Sequence, residues 1–440
     1  MKYILSVFII CLTMGCVEKT TKTADSVLKA DFEEIENWKP EIIKLTSGPK
    51  QHWFGYYDKR QIDPTGRYAL AMEVDTIHRS PADSDKLVIG MVDLQNNNRW
   101  IPLGESRAWG WQQGCMLQWI PGSEEEIIWN DVQDGQYISR VLNVFTKEER
   151  ILPKAIYTLS NDGTFALGTE FNRIQKLRPG YGYAGVPDHT EHNRHPEEIG
   201  IYKMDLETGE SKLLISIDEM ARQPNQDELL TDYWHWFNHI LISPDDKRFV
   251  FLHRWRKEKG NGKNIRPSGF ITRMVTANLD GSDRYILDPS GHTSHFIWKN
   301  PNKICMWTKP IGKEWGFYLF TDKTDEVVSV GEGMMVVNGH NTYINGSNAE
   351  WILNDTYPQG DERLQELYLF HVPSDTKVTL GKFHEPEKYT GEVRCDLHPR
   401  NSNDGNLLIF DSTHGGDGRQ MYMVDISPVI QQSLSPEPFH

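Results

Sequence analysis

The chain has 440 residues, of which 38% are hydrophobic and 25% are charged, a composition typical of a globular protein with a large core. Its formal net charge is −15 at pH 7, which argues against a general nucleic-acid binder, because such a protein presents a basic face. An anionic ligand remains compatible with this charge if it binds in a locally cationic pocket.

The N-terminus has the pattern of an export signal. A short positive start precedes an apolar run over residues 3–14, which is too short to span a membrane. The end of this run resembles a bacterial lipoprotein cleavage site. It predicts a signal peptide over residues 1–15, a lipid anchor on Cys16 and a polar tether over residues 16–38. We therefore expect an exported lipoprotein, on a bacterial outer membrane or in the periplasm, that touches the membrane only through this anchor.

The cysteines do not form a disulfide pattern. Cys11 and Cys16 fall in the predicted signal peptide and at the lipid site, which leaves Cys115, Cys305 and Cys395. Three widely spaced cysteines predict buried free thiols rather than a disulfide framework or a CxxC metal site.

A repeated strand pattern sets the predicted fold. An alternating apolar strand followed by a polar turn occurs seven times, at intervals of roughly 40 to 75 residues. The copies lie at residues 86–93, 137–144, 199–205, 273–279, 315–321, 364–372 and 420–426. Hairpin turns precede these strands, as in Asp63-Pro64-Thr65-Gly66, where Pro presets φ and Gly accepts a positive φ. Such repeats predict the blades of a propeller.

We therefore predict an all-β fold, a seven-bladed β-propeller over residues 39–430 with a tail over residues 431–440. A solenoid is the alternative, but it would need atypical polar caps. The last repeat instead stops after its third strand, and an unpaired strand at residues 41–45 precedes the first repeat. This strand is expected to complete the last blade and close the ring, which would remove both sheet edges. A short helix is expected near residues 217–222.

Histidines occupy matching positions in the predicted inner strands. His239 and His398 each lie four residues before the serine of a hairpin turn, and His295 and His340 open the equivalent strands of two other blades. Inner strands run along the central axis, so matched positions lie at one level around it, and we expect these imidazoles to share one pocket. Converging neutral imidazoles suit a divalent metal such as Zn²⁺ or Mn²⁺.

Other polar side chains are expected near this level. Tyr157 and Gln113 lie at the start of their inner strands, and Arg173, Arg178 and Arg254 supply cations in neighbouring segments. An arginine fork can hold a carboxylate through two hydrogen bonds.

Other motifs carry less weight. His189, His192 and His195 are three residues apart, but the polar stretch around them is typical of an insertion loop. The sequence contains no Gly-rich phosphate loop, GxSxG elbow or HExxH pattern.

Six motifs stand out beyond the repeat: His52-Trp53-Phe54-Gly55-Tyr56-Tyr57-Asp58, Trp111-Gln112-Gln113-Gly114-Cys115, Arg178-Pro179-Gly180-Tyr181-Gly182-Tyr183, Phe251-Leu252-His253-Arg254-Trp255, Asp355-Thr356-Tyr357-Pro358 and Asp411-Ser412-Thr413-His414-Gly415-Gly416. Together they resemble bacterial propeller polysaccharide lyases, in particular the oligogalacturonate lyases and the seven-bladed ulvan lyases. The resemblance covers residues 51–426. It implies β-elimination on a uronic-acid-containing anionic polysaccharide, either ulvan or a pectin-like polymer.

The chemistry of this reaction suits the available residues. Loss of the weakly acidic C5 proton builds charge onto the neighbouring carboxylate, so a lyase neutralises that carboxylate with arginine or a metal. It also needs a base near C5 and an acid for the departing O4, and His and Tyr can fill both roles.

The resemblance also implies roles for individual residues. His239 resembles the catalytic base of the oligogalacturonate lyases, and His295 and His340 resemble their metal-binding histidines, with His398 as a third ligand for manganese or zinc. Their full ligand cluster is not reproduced in this sequence. Tyr157 with Arg173 resembles the His/Tyr pair of ulvan lyases and its arginine. The remaining expected site residues are Arg254 on the catalytic side and His52, Gln113, His253 and Tyr357 for substrate binding.

Two alternatives to a lyase remain at this point. A non-catalytic, glycan-binding propeller lipoprotein would bind sugar without forming product. A glycoside hydrolase would need two facing carboxylates about 5 to 10 Å apart, and the sequence offers no clear pair.

Overall fold

The structure is a computed structural model that describes residues 38–75, 78–257 and 269–434. The predicted signal peptide, the lipid site and almost all of the tether lie outside these residues, as does most of the predicted tail. None of the helices in the described ranges has the length and apolar character needed to cross a bilayer.

Seven antiparallel sheets of four strands each form the blades of a β-propeller, which confirms the predicted fold. Blade 1 contains β2 (Gln51–Trp53), β3 (Tyr68–Val74), β4 (Leu87–Asp93) and β5 (Arg99–Ser106). Blade 2 contains β6 (Gln118–Trp119), β7 (Glu126–Gln133), β8 (Gln136–Asn143) and β9 (Glu149–Leu152). Blade 3 contains β10 (Thr158–Leu159), β11 (Phe165–Gly168), β12 (Gly200–Asp205) and β13 (Ser211–Ser216). Blade 4 contains β14 (Trp234–Ile242), β15 (Arg248–Arg256), β16 (Ile271–Asn278) and β17 (Tyr285–Gly291).

The remaining blades follow the same order. Blade 5 contains β18 (Phe296–Asn300), β19 (Lys303–Thr308), β20 (Gly316–Thr321) and β21 (Val327–Val330). Blade 6 contains β22 (Thr342–Tyr343), β23 (Trp351–Asp355), β24 (Leu364–His371) and β25 (Thr376–His384). Blade 7 contains β26 (Arg400–Asn401), β27 (Leu407–Ser412) and β28 (Gln420–Asp425), with β1 (Ile43–Lys44) as its fourth strand. The seven predicted repeat strands correspond to the third strand of each blade.

The two ends of the described chain meet in blade 7. Strand β1 pairs antiparallel with β28, with Ile43 opposite Met423 and Lys44 opposite Tyr422. The backbone N–H of Leu45 extends the ladder by donating to the carbonyl oxygen of Met421 at 2.9 Å. The outermost strand of the last blade therefore comes from the start of the described chain.

The described residues include three short α-helices: α1 (Phe171–Leu177) and α2 (Ile217–Arg222) lie between strands, and α3 (Ser427–Leu434) follows the last strand. The expected helix near residues 217–222 is therefore present. Its N-cap is Ser216, whose hydroxyl accepts the N–H of Glu219 while the Glu219 carboxylate accepts the N–H of Ser216. This reciprocal capping box satisfies two backbone donors at the helix start.

Turn chemistry fixes the hairpins between inner strands and their neighbours. In the first hairpin, one carboxylate oxygen of Asp63 accepts the backbone N–H groups of Arg67 and Tyr68, at 2.8 and 2.6 Å. Gly66 in the same turn has a φ of +72°, in the left-handed region that glycine adopts without steric cost. The turn thus places β3 antiparallel to the segment before the turn, with Ile62 opposite Ala69.

Aromatic side chains fill the space between neighbouring blades. Between blades 1 and 2, the indole of Trp111 lies 5.4 Å from that of Trp53 and 5.2 Å from that of Trp109, and all three are almost fully buried. Large buried rings contribute strongly to packing energy. The cysteines Cys115, Cys305 and Cys395 are buried and free, as predicted.

Candidate functional site

The structure brings the four predicted histidines together where the inner strands begin. The ring of His340 lies 4.1 Å from that of His295 and 4.2 Å from that of His398, measured between centroids. The Tyr56 ring links this row to the fourth histidine, at 5.4 Å from His398 and 4.9 Å from His239. Each histidine is at most 5% exposed. Segments of four blades thus contribute to one buried cluster.

A backbone irregularity in β14 positions His239. The pairing with β15 shifts register between Asn238 and Leu241, and His239 between them has a φ of +50°. A bulge re-aims the side chain that it carries, and a non-glycine residue in this region costs about 1–3 kcal/mol. The freed N–H of His239 donates to the Tyr157 hydroxyl at 2.8 Å, and the Gln113 amide donates to the same oxygen at 2.7 Å.

The His239 side chain connects a buried ion pair to a tyrosine. Its Nε2–H donates to a carboxylate oxygen of Asp58 at 3.2 Å, and the Lys59 ammonium lies 3.0 Å from the other oxygen. Its Nδ1 therefore accepts the hydroxyl proton of Tyr56, across 3.4 Å. These contacts form a chain of hydrogen bonds from Asp58 through His239 to Tyr56.

Burial and charge set the protonation of this chain. Burial lowers the pKa of His239 to about 4 although Asp58 acts to raise it, so the imidazole is neutral near pH 7. Burial acts to raise the pKa of Asp58, but Lys59 and His239 outweigh it and the pKa falls to about 2. Burial also raises the pKa of Tyr56 well above that of a free phenol. At neutral pH, the chain therefore holds a carboxylate, a neutral imidazole and a phenol.

The other histidines surround two buried aspartates. The Asp355 carboxylate accepts the backbone N–H groups of His340 and His398, at 2.7 and 3.1 Å, and the Nδ1–H of His340 at 2.9 Å. This leaves the Nε2 of His340 without a hydrogen-bond partner among the described residues, and the Nε2 of His398 is in the same state. Both nitrogens face one oxygen of Asp396, at 4.0 and 3.8 Å.

These residues form a donor set that could hold a metal ion. One ligand atom from each of His340, Asp396 and His398 lies within 4.8 Å of the other two. Two imidazole nitrogens and a carboxylate oxygen suit Mn²⁺ or Zn²⁺, and a carboxylate such as Asp355 commonly orients a metal-binding histidine. His295, predicted as a ligand, lies beside this set, but its Nδ1 contacts the side-chain Oδ1 of Asn338 at 3.0 Å.

A cavity of about 690 Å³ opens beside the cluster. His295, Tyr56, Tyr357 and Tyr181 lie in its wall together with three arginines, Arg178, Arg254 and Arg394. A second cavity, of about 830 Å³, is lined by the turns that follow the inner strands, such as those at Asn161 and Asn345, and no histidine lines it. The first cavity, referred to below as the arginine pocket, is therefore the candidate site.

Two arginines of the pocket lie near the same aromatic ring and have no acidic partner among the described residues. The guanidinium carbons of Arg178 and Arg254 lie 5.2 and 5.1 Å from the centre of the same Phe270 ring. Within the described ranges, no carboxylate pairs with either, and the Nε of each lacks a hydrogen-bond partner. Burial, and then repulsion from Arg178, lowers the pKa of Arg254 to about 10. Arg254 therefore remains charged near pH 7, and a pair of guanidinium groups in this wall favours an anion.

The third arginine is bound to protein groups. The Arg394 Nε donates to Asp396 at 2.8 Å, and an Nη donates to the hydroxyl oxygen of Tyr181 at 2.6 Å. Burial acts to raise the pKa of Tyr181, but Arg394 and then Arg178 outweigh it, so the pKa lies below that of a free phenol. The hydroxyl of Tyr181, in the pocket wall, is therefore a stronger acid than that of an ordinary tyrosine.

Several residues predicted for the site lie outside the arginine pocket. Arg173 does not line the pocket, because its guanidinium donates to the carbonyl oxygens of His235, Asn193 and Arg194 and braces the insertion loop. His253 is fully buried, with its Nε2 2.9 Å from the Nδ1 of His235.

The other residues predicted for the site differ in the protein groups that they contact. His52 is buried between Gln420 and Glu73, with 3.1 Å to each. Tyr157 and Gln113 do not line the pocket: the Tyr157 hydroxyl accepts the N–H of His239, and Gln113 donates to that hydroxyl, so the two residues position His239. By contrast, Tyr357 lines the pocket, with its hydroxyl 3.4 Å from the Nε2 of His295.

The sequence-based prediction missed roles for Tyr56, Asp58, Asp355, Asp396 and Tyr181. Four of these residues stand in the quoted motifs, and Asp396 is two residues before His398, so their positions were visible in the sequence. Their roles were not visible, because each depends on a contact between segments far apart in the chain.

Comparisons with known proteins identify the fold. No protein-family model and no curated protein matches the chain. Among solved structures, an oligogalacturonate lyase from Vibrio parahaemolyticus is 15% identical with a TM-score of 0.60, and the match covers 89% of this chain and all of that one. An oligogalacturonate lyase in complex with manganese is 16% identical with a TM-score of 0.60, covering 90% of this chain and 96% of that one.

Propellers of other function are also similar. A prolyl endopeptidase is 10% identical with a TM-score of 0.50, and the match covers 91% of this chain but 50% of the endopeptidase. At these identities, the comparisons establish the fold. The chain is a seven-bladed β-propeller similar in architecture to the oligogalacturonate lyases.

Proposed function

We propose that the chain is a polysaccharide lyase that cleaves a uronic-acid polymer, of the pectin-like galacturonate type or ulvan, by β-elimination. The observation that carries the proposal is the arginine pair, Arg178 and Arg254, in the wall of a pocket that also reaches a His–Tyr chain. The likeness in fold to oligogalacturonate lyases favours a galacturonate substrate.

The arginine pair is suited to a sugar carboxylate. Arg178 and Arg254 both lie about 5 Å from the Phe270 ring and have no described carboxylate partner, so an incoming uronate would relieve the repulsion between them. Charge that develops on this carboxylate when C5 loses its proton would be stabilised by the same two groups. The pair would therefore bind the transition state more strongly than the ground state.

Tyr56 and His239 form the basic side of the proposed mechanism. Tyr56 faces the pocket, whereas His239 is 1% exposed and lies behind it. The Tyr56 oxygen would take the C5 proton as its own proton passes to the Nδ1 of His239. The imidazolium formed would be stabilised by the Asp58 carboxylate, in the manner of a His–Asp pair in a catalytic triad.

Tyr181 supplies the acidic side. The electrons of the C5–H bond form the C4–C5 double bond, and the C4–O4 bond breaks with its electron pair on O4. The Tyr181 hydroxyl would donate its proton to this oxygen, and Arg394 and Arg178 would stabilise the resulting phenolate. The lowered pKa of Tyr181 favours this direction of transfer.

A divalent metal fits the neighbouring histidines. His340, Asp396 and His398 would hold it, because the two Nε2 atoms have no described partner and both face the carboxylate. When bound, such an ion would add positive charge near the substrate carboxylate. The oligogalacturonate lyase complex with manganese makes Mn²⁺ the first metal to test.

Export and lipid attachment are also proposed, from the sequence of residues 1–16 alone. Labelling with a radioactive fatty acid in a bacterial host would mark the protein, and a Cys16→Ser variant would lose the label. An equal signal from the variant would contradict lipidation at Cys16.

The central experiment measures the ultraviolet absorbance of the unsaturated uronate product. The full chain is incubated with polygalacturonate, ulvan and other uronate polymers, with and without Mn²⁺ or Zn²⁺. We expect absorbance to rise with one of these polymers and to stay flat with neutral glycans. No rise with any polymer, under either metal condition, would contradict the lyase.

A non-catalytic glycan-binding propeller is the second candidate. The near-complete burial of His239 favours it, because this imidazole does not line the pocket and would not itself touch a sugar. This candidate predicts that a uronate oligosaccharide binds but that no unsaturated product forms. Replacing His239 with Gln should then leave the affinity for the oligosaccharide unchanged.

A further inference from the structure

One wall of the arginine pocket is aromatic and reaches solvent. Trp315 directly precedes β20, and 48% of it is exposed. Trp307, near the end of β19, packs against it with ring centroids 6.1 Å apart and planes only 20° apart. His292 lies 5.1 Å away on the loop after blade 4. All three residues line the pocket.

Folding gives no reason for this exposure. Full burial of a large apolar side chain is worth about 1.5–3 kcal/mol, and Trp315 forgoes much of that gain. Trp307, by contrast, is only 7% exposed, and its ring lies nearly parallel to that of Trp315. A half-exposed indole backed by a second, buried indole at a pocket wall suits a ligand with an apolar face.

The pocket has two chemically different regions, one cationic and one aromatic, and each suits a different part of a ligand. Its cations, Arg178 and Arg254, come from blades 3 and 4, and its exposed indole comes from blade 5. Its volume of about 690 Å³ lies within the range of about 300–1,000 Å³ that is typical of sites enclosing a whole small molecule. One part of the cavity therefore suits a carboxylate, and another suits the C–H face of a ring.

We propose that Trp315, supported by Trp307 and flanked by His292, is a stacking platform for a second sugar unit beside the uronate held by Arg178 and Arg254. The ligand class is an oligosaccharide of at least two pyranose units, one of them a uronate. This inference rests on the proposed function and adds to it a requirement for chain length.

The experiment titrates galacturonic acid and trigalacturonate into the full chain by calorimetry. The protein carries His239→Gln, which removes the proton acceptor and prevents turnover during the titration. Trp315→Ala and Trp315→Phe are added to this background. Phe145→Ala is the matched control, because Phe145 is an exposed aromatic residue of similar exposure, 52%, outside the pocket.

We expect Trp315→Ala to weaken trigalacturonate binding by about five- to tenfold, the size of one aromatic stacking contact. Galacturonic acid affinity should not change, since that sugar occupies the arginine side. Trp315→Phe should keep most of the trimer affinity, and Phe145→Ala should keep all of it. Equal melting temperatures would show that the variants are folded.

The outcomes separate the platform from the lyase. Unchanged trimer affinity in Trp315→Ala, or no trimer binding before that substitution, would overturn the platform, whatever the absorbance assay gives. Trimer binding that depends on Trp315, together with no product from the unaltered chain, would uphold the platform and overturn the lyase.

Discussion

At the scale of single residues, the site is defined by charges that the protein leaves uncompensated. Arg178 and Arg254 repel one another over a shared ring, and the described chain provides neither with a carboxylate. By contrast, the buried arginine Arg173 is satisfied by carbonyl oxygens and a nearby aspartate. Arg254 is buried and Arg178 is partly buried, and taking a charge out of water without a partner is costly, so this pair in a pocket wall indicates an anionic ligand.

The first prediction concerns Arg254. Replacing it with Ala should lower kcat/KM on the active polymer by about a hundredfold or more, because the carboxylate loses one of two groups that stabilise its developing charge. Arg254→Lys should recover only part of the rate, since an ammonium cannot form a two-bond fork. Initial rates of absorbance increase give both values.

Arg222→Ala is the control for Arg254. Arg222 is exposed, pairs with Asp218 on the surface and does not line the pocket. Its removal should leave kcat/KM unchanged. Similar losses in the two variants would mean that general charge, rather than the pocket, determines the rate.

The second prediction concerns the pH profile. Asp58 acts to raise the pKa of His239, which burial holds at about 4. Activity should therefore fall as pH drops through about 4, where the imidazole gains a proton and can accept no other. In Asp58→Asn, this acidic limb should move to still lower pH, and the maximal rate should fall by about a hundredfold. The other charged or titratable groups that act on His239 or contact it are Lys59, Arg254, Tyr56, Tyr57 and Tyr157.

The measurement is kcat/KM across the pH range in which both proteins keep their fold. Melting curves at each pH define that range. An acidic limb that moves to higher pH in Asp58→Asn, or does not move, would show that His239 is not the titrating group.

At the scale of elements, the site consists of loops and bulges at one end of the inner strands. The spacing of the histidines from the hairpin turns predicted their convergence. The inner strands all run along the propeller axis, so residues at the same sequence distance from the turn lie at the same level along that axis. The orientation of Tyr157 was not predictable in this way. The bulge at His239 turns its N–H toward Tyr157, and a one-residue irregularity changes which side of a strand a side chain faces.

Contacts between loops limited the prediction further. Arg173 matched an expected spacing, yet helix α1 places its guanidinium against the insertion that contains Thr190 and Asn193. Asp355 ends β23, where its sequence context shows only a strand followed by a turn. Its role depends on His398 from the next blade, which lies 43 positions away in the chain.

The third prediction concerns Asp355, whose carboxylate accepts hydrogen bonds from His340 of blade 6 and His398 of blade 7. Asp355→Asn should weaken Mn²⁺ binding by about 10- to 100-fold, because the amide no longer fixes the orientation of the His340 ring. The melting temperature without metal should also fall, since two backbone N–H groups lose a charged acceptor. Calorimetric titration of MnCl₂ and melting curves provide the two readouts.

Asp361→Asn is the matched control for Asp355. Asp361 is an exposed aspartate of the same blade and lies outside the cluster. It should bind Mn²⁺ as the unaltered chain does. Equal Mn²⁺ affinities in all three proteins would place the metal elsewhere or show that none binds at this cluster.

At the scale of the whole molecule, the fold was predictable because every blade repeats one pattern. Each predicted strand matched the third strand of a blade, where a central position in the sheet favours continuous apolar and β-branched residues, as in Leu87–Asp93. The short inner strands were harder to delimit. Five of them have two or three residues, so turns and histidines marked their positions better than hydrophobicity did.

The fourth prediction tests whether β1 holds the last blade. Proline cannot donate to a β-ladder, so Leu45→Pro should remove the bond from the Leu45 N–H to the Met421 carbonyl. Leu45 is also buried, and Leu45→Ala therefore measures the loss of packing alone. We expect Leu45→Pro to melt several degrees below Leu45→Ala, because blade 7 then has an open edge and the ring loses its link between the two ends. Equal melting temperatures for the two variants would show that the pairing of β1 with β28 does not stabilise the propeller.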